Sequence, residues 1–168
     1  LAQALLSLSA MVLLSQLALR PVVAAAGEPA RTLREIVAQP ALRAAVAGAA
    51  VGYAVMIMAM TATPLAMLGC GFGTGEIKPV IQWHVFAMFA PSFVTGSLVA
   101  RFGAPRIMQA GFLLLIGHVL IAASGLEYLH FLSALVLLGV GWNFAFVGGT
   151  AMLTQSYRPS EQTKVQAL

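Results

Sequence analysis

Five long apolar stretches, separated by short polar ones, set the pattern of this chain. Residues 2–19 form an apolar run of spanning length, ended by Arg20 and Pro21. Residues 41–68 form a second, rich in Ala and Gly. Residues 80–100, 107–124 and 131–154 complete the set. Each is long enough for a helix to cross a bilayer at 1.5 Å per residue. Between the first two lies a connection holding Pro21, Gly27 and Pro29. Within it, residues 29–39 carry a helical pattern: Leu33, Ile36 and Val37 on an apolar face, Arg31, Arg34 and Glu35 on a face toward water. Residues 69–79 read as a Gly-rich loop, residues 101–106 and 125–130 as tight turns, and residues 155–168 as a polar tail.

Composition agrees with that pattern. Hydrophobic residues make up 60% of the chain and charged residues 8%, against about 25% charged in soluble domains. The expected class is an all-α, polytopic membrane helix bundle. The first run lacks a basic start, so it reads as a span of a longer protein and not as a signal peptide. One cysteine, Cys70, excludes a disulfide within the chain.

Charge then orients the spans. Of the 9 cations, only Lys78 falls in residues 69–79; the others (Arg20, Arg31, Arg34, Arg43, Arg101, Arg106, Arg158, Lys164) fall on the opposite, alternate connections. This positive-inside pattern places those connections in the cytoplasm and Cys70 outside. It also explains the net charge of +4 without a nucleic-acid partner. The partners expected are the lipid bilayer, further helices of the parent chain, and a small substrate or metal ion.

Two helix-spaced pairs carry candidate chemistry. Met56 and Met60, and His84 and Met88, are each i, i+4 couples on one helix face. Thioether and imidazole suit a soft metal such as Cu(I). Counting the rise per residue, Met60 and Met56 lie about 12 and 18 Å below the outer end of their span, and His84 and Met88 about 8 and 14 Å below theirs. The pairs thus overlap in depth. Pro64 and Pro91 follow them and remove a main-chain donor each, which predicts bends. Cys70 is a further soft ligand at the outer mouth, a candidate metal relay. His118 and Asn143 are polar groups inside spans, candidates for interhelical hydrogen bonds or for the pathway. Gly48 and Gly52 form a GxxxG packing pattern. Catalysis has little support, with no aspartate and no Ser/His/acid cluster; the chain does not read as an enzyme.

The stretch Gly96-Ser-Leu-Val-Ala-Arg-Phe-Gly-Ala-Pro-Arg106 resembles the cytoplasmic loop signature of the major facilitator superfamily, G-x-L-a-D-R-x-G-r-r. Gly96, Leu98, Arg101 and Gly103 match, and Ala100 replaces the acidic residue. The resemblance implies a secondary transporter of twelve helices, of which this chain would hold helices six to ten. Residues 1–19 would then be the last helix of the N-terminal half, 20–40 the cytoplasmic link between halves, and 41–168 the first four helices of the C-terminal half with the loop that follows. MxxxM followed by HxxxM further resembles the CcoA-like copper importers of bacterial inner membranes, which feed haem–copper oxidase assembly. That implies Met56, Met60, His84 and Met88 as metal ligands, copper as substrate, and no permanently bound cofactor. A related branch is associated with riboflavin, so uptake or efflux of an organic solute is the alternative.

Overall fold

A computed structural model describes residues 31–166. The apolar run 2–19 and most of the 20–40 connection lie outside the described residues. Among the described residues all regular structure is helical: α1 (Leu33–Val37), α2 (Pro40–Gly69), α3 (Thr74–Phe89), α4 (Ser92–Phe102), α5 (Ala104–Ser124), α6 (Tyr128–Ser156), a 3₁₀ turn (Pro159–Glu161) and α7 (Gln162–Gln166). Four spans are long and apolar enough to cross a membrane: Pro40–Gly69, Thr74–Phe102, Ala104–Ser124 and Tyr128–Ser156.

Local chemistry sets where these helices start and stop. Thr32 and Glu35 cap α1 reciprocally, the Thr32 hydroxyl taking the Glu35 N–H and the Glu35 carboxylate taking the Thr32 N–H. Pro40 opens α2, where its missing N–H costs nothing. The link from α2 to α3 is shorter than the sequence pattern suggests. Glu76 accepts the Gly73 N–H and starts α3 at Thr74, so Glu76, Lys78 and Pro79 are helical. Ile77 and Val80 already belong to the buried face of α3. At the other end of the bundle, the turn expected over residues 101–106 contracts to Gly103 alone. Its φ of 89° and ψ of 146° suit glycine, and they let α5 begin at once with Pro105 in its first turn.

The spine of the bundle is α6. The helices α5, α2 and α3 all pack on it, whereas α2 and α3 have little contact with each other. Small residues make this possible: Gly139, Gly141, Ala145, Gly148 and Gly149 are buried along α6. The approach of α5 is close enough that a Cβ on Gly111 would stand 2.4 Å from the Ala145 nitrogen and 2.7 Å from the Gly141 oxygen. The GxxxG pair of α2 is buried too, Gly48 against Met108 and Phe112, Gly52 against Ala145. The outward faces stay apolar, with Phe93 92% and Leu113 69% exposed, as befits surfaces solvated by lipid tails or by other helices.

The polar segments flanking the spans are tied together. Ile36, Leu42 and Val165 form a small buried cluster that joins α1, α2 and α7. Beside it, Glu161 is fully buried and accepts the Arg31 backbone N–H, Nε–H and Nη2–H and the Arg158 N–H. The water-facing role expected of Arg31 is therefore corrected: its guanidinium pairs with a carboxylate 130 residues away and also reaches Ser156 O. These bonds hold the Glu161 carboxyl well below the usual range, the Arg31 side chain contributing most.

Candidate functional site: the helix α3–α6 seam

The buried residues of α3 are Ile77, Val80, His84 and Ala87. Steps of three and four place them on one stripe, and that stripe faces α6. Apolar burial of the other three brings His84 along, with no exposure left. Gly139 lets the backbones meet there; a Cβ on it would stand 2.7 Å from His84 O and 2.9 Å from the Ala87 Cβ.

Within the seam, His84 Nδ1 lies 2.8 Å from Leu135 O. A carbonyl only accepts, so Nδ1 carries the proton, and in the neutral ring Nε2 keeps its lone pair. Nε2 is buried with no hydrogen-bond partner among the described residues. From α5, His118 Nδ1 lies 2.9 Å from Ala134 O. Two histidines from different helices are thus fixed on consecutive carbonyls of one turn. His118 also borders a cleft of about 340 Å³ whose walls include Met58, Ala59, Thr63 and Phe131.

One turn along the seam is a polar bracket. Asn143, 2% exposed, donates through Nδ2 to Met88 O at 2.8 Å and to Ser92 Oγ at 2.7 Å. Its Oδ1 accepts from Thr95 Oγ1 at 2.8 Å, and that hydroxyl also lies 2.7 Å from Pro91 O. These are interhelical bonds of the kind that polar residues form inside membranes. Ser92 and Thr95 were not singled out by the sequence pattern. The signal was present, since Pro91 strips a carbonyl of its donor and hydroxyl residues follow within one turn.

The remaining candidates are dispersed. Met56 and Met60 are half-buried on α2, Met60 packing against the cluster of Ala59, Met67, Ile77, Val80, Leu115, Leu135 and Leu138. Met88 is half-buried on α3. The two pairs lie on helices that both pack on α6 and scarcely touch each other. Among the described residues no cluster of three His, Cys, Asp or Glu side chains is present, so a soft-metal site here would depend on thioethers. Cys70 is exposed and caps the end of α2. Of the loop signature, Gly96 and Arg101 are exposed, Leu98 is half-buried, and Gly103 forms the turn. The Arg101 guanidinium sits 5.3 Å from the centre of the Phe102 ring. Pro64 leaves α2 continuous, whereas Pro91 coincides with the break between α3 and α4.

Sequence comparison adds to this geometry. The chain is 46% identical over 136 residues, 81% of its length, to the riboflavin transporter RfnT of Brucella anthropi. It is 40% identical over 114 residues (67% of the chain) to the uncharacterized MFS-type transporter YdeG of Bacillus subtilis. To YddS, another such transporter of that organism, it is 41% identical over 128 residues (71% of the chain). The chain is homologous to major-facilitator-type transporters. The matched segments cover 34%, 26% and 29% of these relatives' own lengths, so the chain spans about a third of the length of the relatives it matches. No family model matches the chain, and no solved structure matches it with significance. The helices described above form a bundle with four spans long and apolar enough to cross a membrane, with α6 as the helix on which its neighbours are mounted.

Proposed function

We propose that this chain is part of a secondary transporter that moves a flavin-like organic solute across a bacterial inner membrane. The observation that carries the reading is the 46% identity, across 81% of the chain, to a riboflavin transporter. Copper import, which the MxxxM and HxxxM pairs suggested, takes second place, because the comparisons favour the organic solute. The geometry is compatible with solute transport. A broken span beside a buried polar seam is a recurrent feature of secondary transporters, and α3, α4 and α6 have that form. Rocking of the two halves of a complete bundle would expose such a seam alternately. The test is riboflavin uptake by cells that cannot make or import the vitamin, with and without the full-length protein. Uptake and growth that depend on the protein support the reading. Equal growth at limiting riboflavin with and without it would overturn the reading.

A second reading, import of a soft metal ion, rests on one observation: the bare, buried Nε2 of His84, one helical turn from Met88. A neutral imidazole nitrogen with a thioether at i+4 can accept Cu(I). Copper accumulation that falls in both the Met56→Ala/Met60→Ala and His84→Ala/Met88→Ala variants would favour it. Accumulation unchanged in both would dismiss it.

A further inference from the structure

The span that carries His84 is interrupted in its hydrogen bonds but not in its direction. Ala90 (φ −56°, ψ −41°) and Pro91 (φ −64°, ψ −21°) both keep right-handed helical angles. Nevertheless α3 stops at Phe89 and α4 starts at Ser92. Pro91 has no N–H, so the Ala87 carbonyl loses its helical donor. Beyond the break, Val94 N–H and Thr95 N–H both reach back to Pro91 O, at 2.9 and 2.8 Å. Released carbonyls at membrane depth are costly unless the protein supplies partners. For the neighbouring carbonyl α6 supplies a partner: Asn143 bonds Met88 O on one side of the break, and Ser92 Oγ and Thr95 Oγ1 on the other.

We propose that this break is a hinge, and that Asn143 is the positioning residue that holds it in the observed form. The inference rests on the transporter reading above and adds to it the moving part. The two sides of the break are anchored very differently. The helix α3 buries four side chains, all on the stripe facing α6. Among the described residues, α4 buries Thr95 alone, with Val99 half-buried against the cluster that holds Ala104 and Met108, and its Phe93 is 92% exposed. So α3, with His84, is the fixed arm, and α4, with Gly96 through Gly103, is the mobile one. The clamp is reversible because its members have other partners. The Thr95 hydroxyl already shares Pro91 O, and it keeps that bond if Asn143 lets go. A main-chain ladder across the break would lock the arms together; proline prevents that, and a side-chain clamp takes its place.

Two substitutions in the full-length protein separate a hinge from a packing defect. Pro91→Ala restores an N–H for the Ala87 carbonyl and lets the ladder close. Asn143→Ala removes the clamp. Amide exchange in detergent and riboflavin uptake at matched expression are the two readouts. In the wild type, amides 92–95 are expected to exchange faster than those of the flanking turn 84–88. Pro91→Ala slows exchange at 92–95, leaves the protein folded and lowers uptake severalfold. Asn143→Ala speeds exchange there by about ten- to a hundredfold, as expected for a lost buried hydrogen bond. The double variant regains slow exchange without regaining uptake. Slowed exchange with wild-type uptake in Pro91→Ala would overturn the hinge, as would unchanged exchange in Asn143→Ala. If the wild type moves no riboflavin, the solute reading fails on its own. The hinge is then decided by exchange alone, and protection at 92–95 equal to that at 84–88 would overturn it.

Discussion

Replacing His84 by asparagine separates the two nitrogens of its ring. The amide nitrogen of asparagine can stand near Nδ1 and keep the bond to Leu135 O, which is 2.8 Å in the native seam. Nothing in the shorter side chain occupies the place of Nε2. The energetic terms oppose one another. A side-chain hydrogen bond within a membrane bundle is worth about 0.6–1 kcal/mol, and most of that is retained. A buried nitrogen without a partner costs about 1–3 kcal/mol; that cost goes with Nε2, and the asparagine Oδ1, a buried acceptor in turn, brings back one of similar size. Loss of ring contacts against α6 gives back about 1 kcal/mol. The balance leaves stability within about 1 kcal/mol of the wild type. Thermal unfolding of the purified full-length protein, read beside uptake in cells, tests this. The expected result is a melting temperature within about 4 °C of the wild type together with a clear fall in uptake. A larger drop in melting temperature would mean that the ring is chiefly structural. Native uptake at native stability would mean that Nε2 does nothing in transport. Either result would exclude a transport role for Nε2 that is separate from packing.

Other substitutions test the frame around the seam. Gly111→Ala puts a methyl group 2.4 Å from the Ala145 nitrogen, a backbone atom that cannot yield unless α5 moves; a loss of about 1–3 kcal/mol is expected, seen as a lower melting temperature. Gly103→Ala forces a side chain onto a φ of 89°, at a cost of about 1–3 kcal/mol, and is expected to fray the α4–α5 turn in amide exchange. Glu161→Gln keeps the size of the side chain but loses the charge that Arg31 pairs with; residues 31–37 should become open to protease while the spans stay protected. The same attachment should depend on pH. Native contacts depress the Glu161 carboxyl, so the folded state binds fewer protons there than the unfolded state. Its contribution is complete above the ordinary glutamate range, near pH 4.3, and declines as pH falls below it. Protection of α1 that rises on acidification would contradict that sign.

Much of the bundle was legible because the membrane imposes one requirement, a run of apolar residues with its backbone bonded internally. The four described spans sit where the apolar runs predict, and the buried Gly48–Gly52 pair packs as a small-residue pattern should. Boundaries were less legible. Gly73, Thr74 and Glu76 look like loop residues, yet a single side-chain bond from Glu76 turns them into the start of α3. Long-range pairing was not legible at all. Arg31 carries the same local pattern as Arg34, and only the fold brings Glu161 to one and not the other. The two prolines make the same point. Each removes one donor, but only beside Pro91 does a distant asparagine bond a main-chain carbonyl, Met88 O, at a break in the helix. His84 was marked by its polarity inside an apolar run. Which of its nitrogens is engaged follows from Leu135 O, a backbone atom about which sequence says nothing.

The substrate is decided by transport by the purified full-length protein in sealed liposomes, with labelled riboflavin and labelled Cu(I) offered in parallel. A flavin transporter accumulates riboflavin saturably and loses that accumulation when unlabelled riboflavin competes. Copper entry with no movement of riboflavin would contradict the solute reading, and would return Met56, Met60, His84 and Met88 to the role of metal ligands.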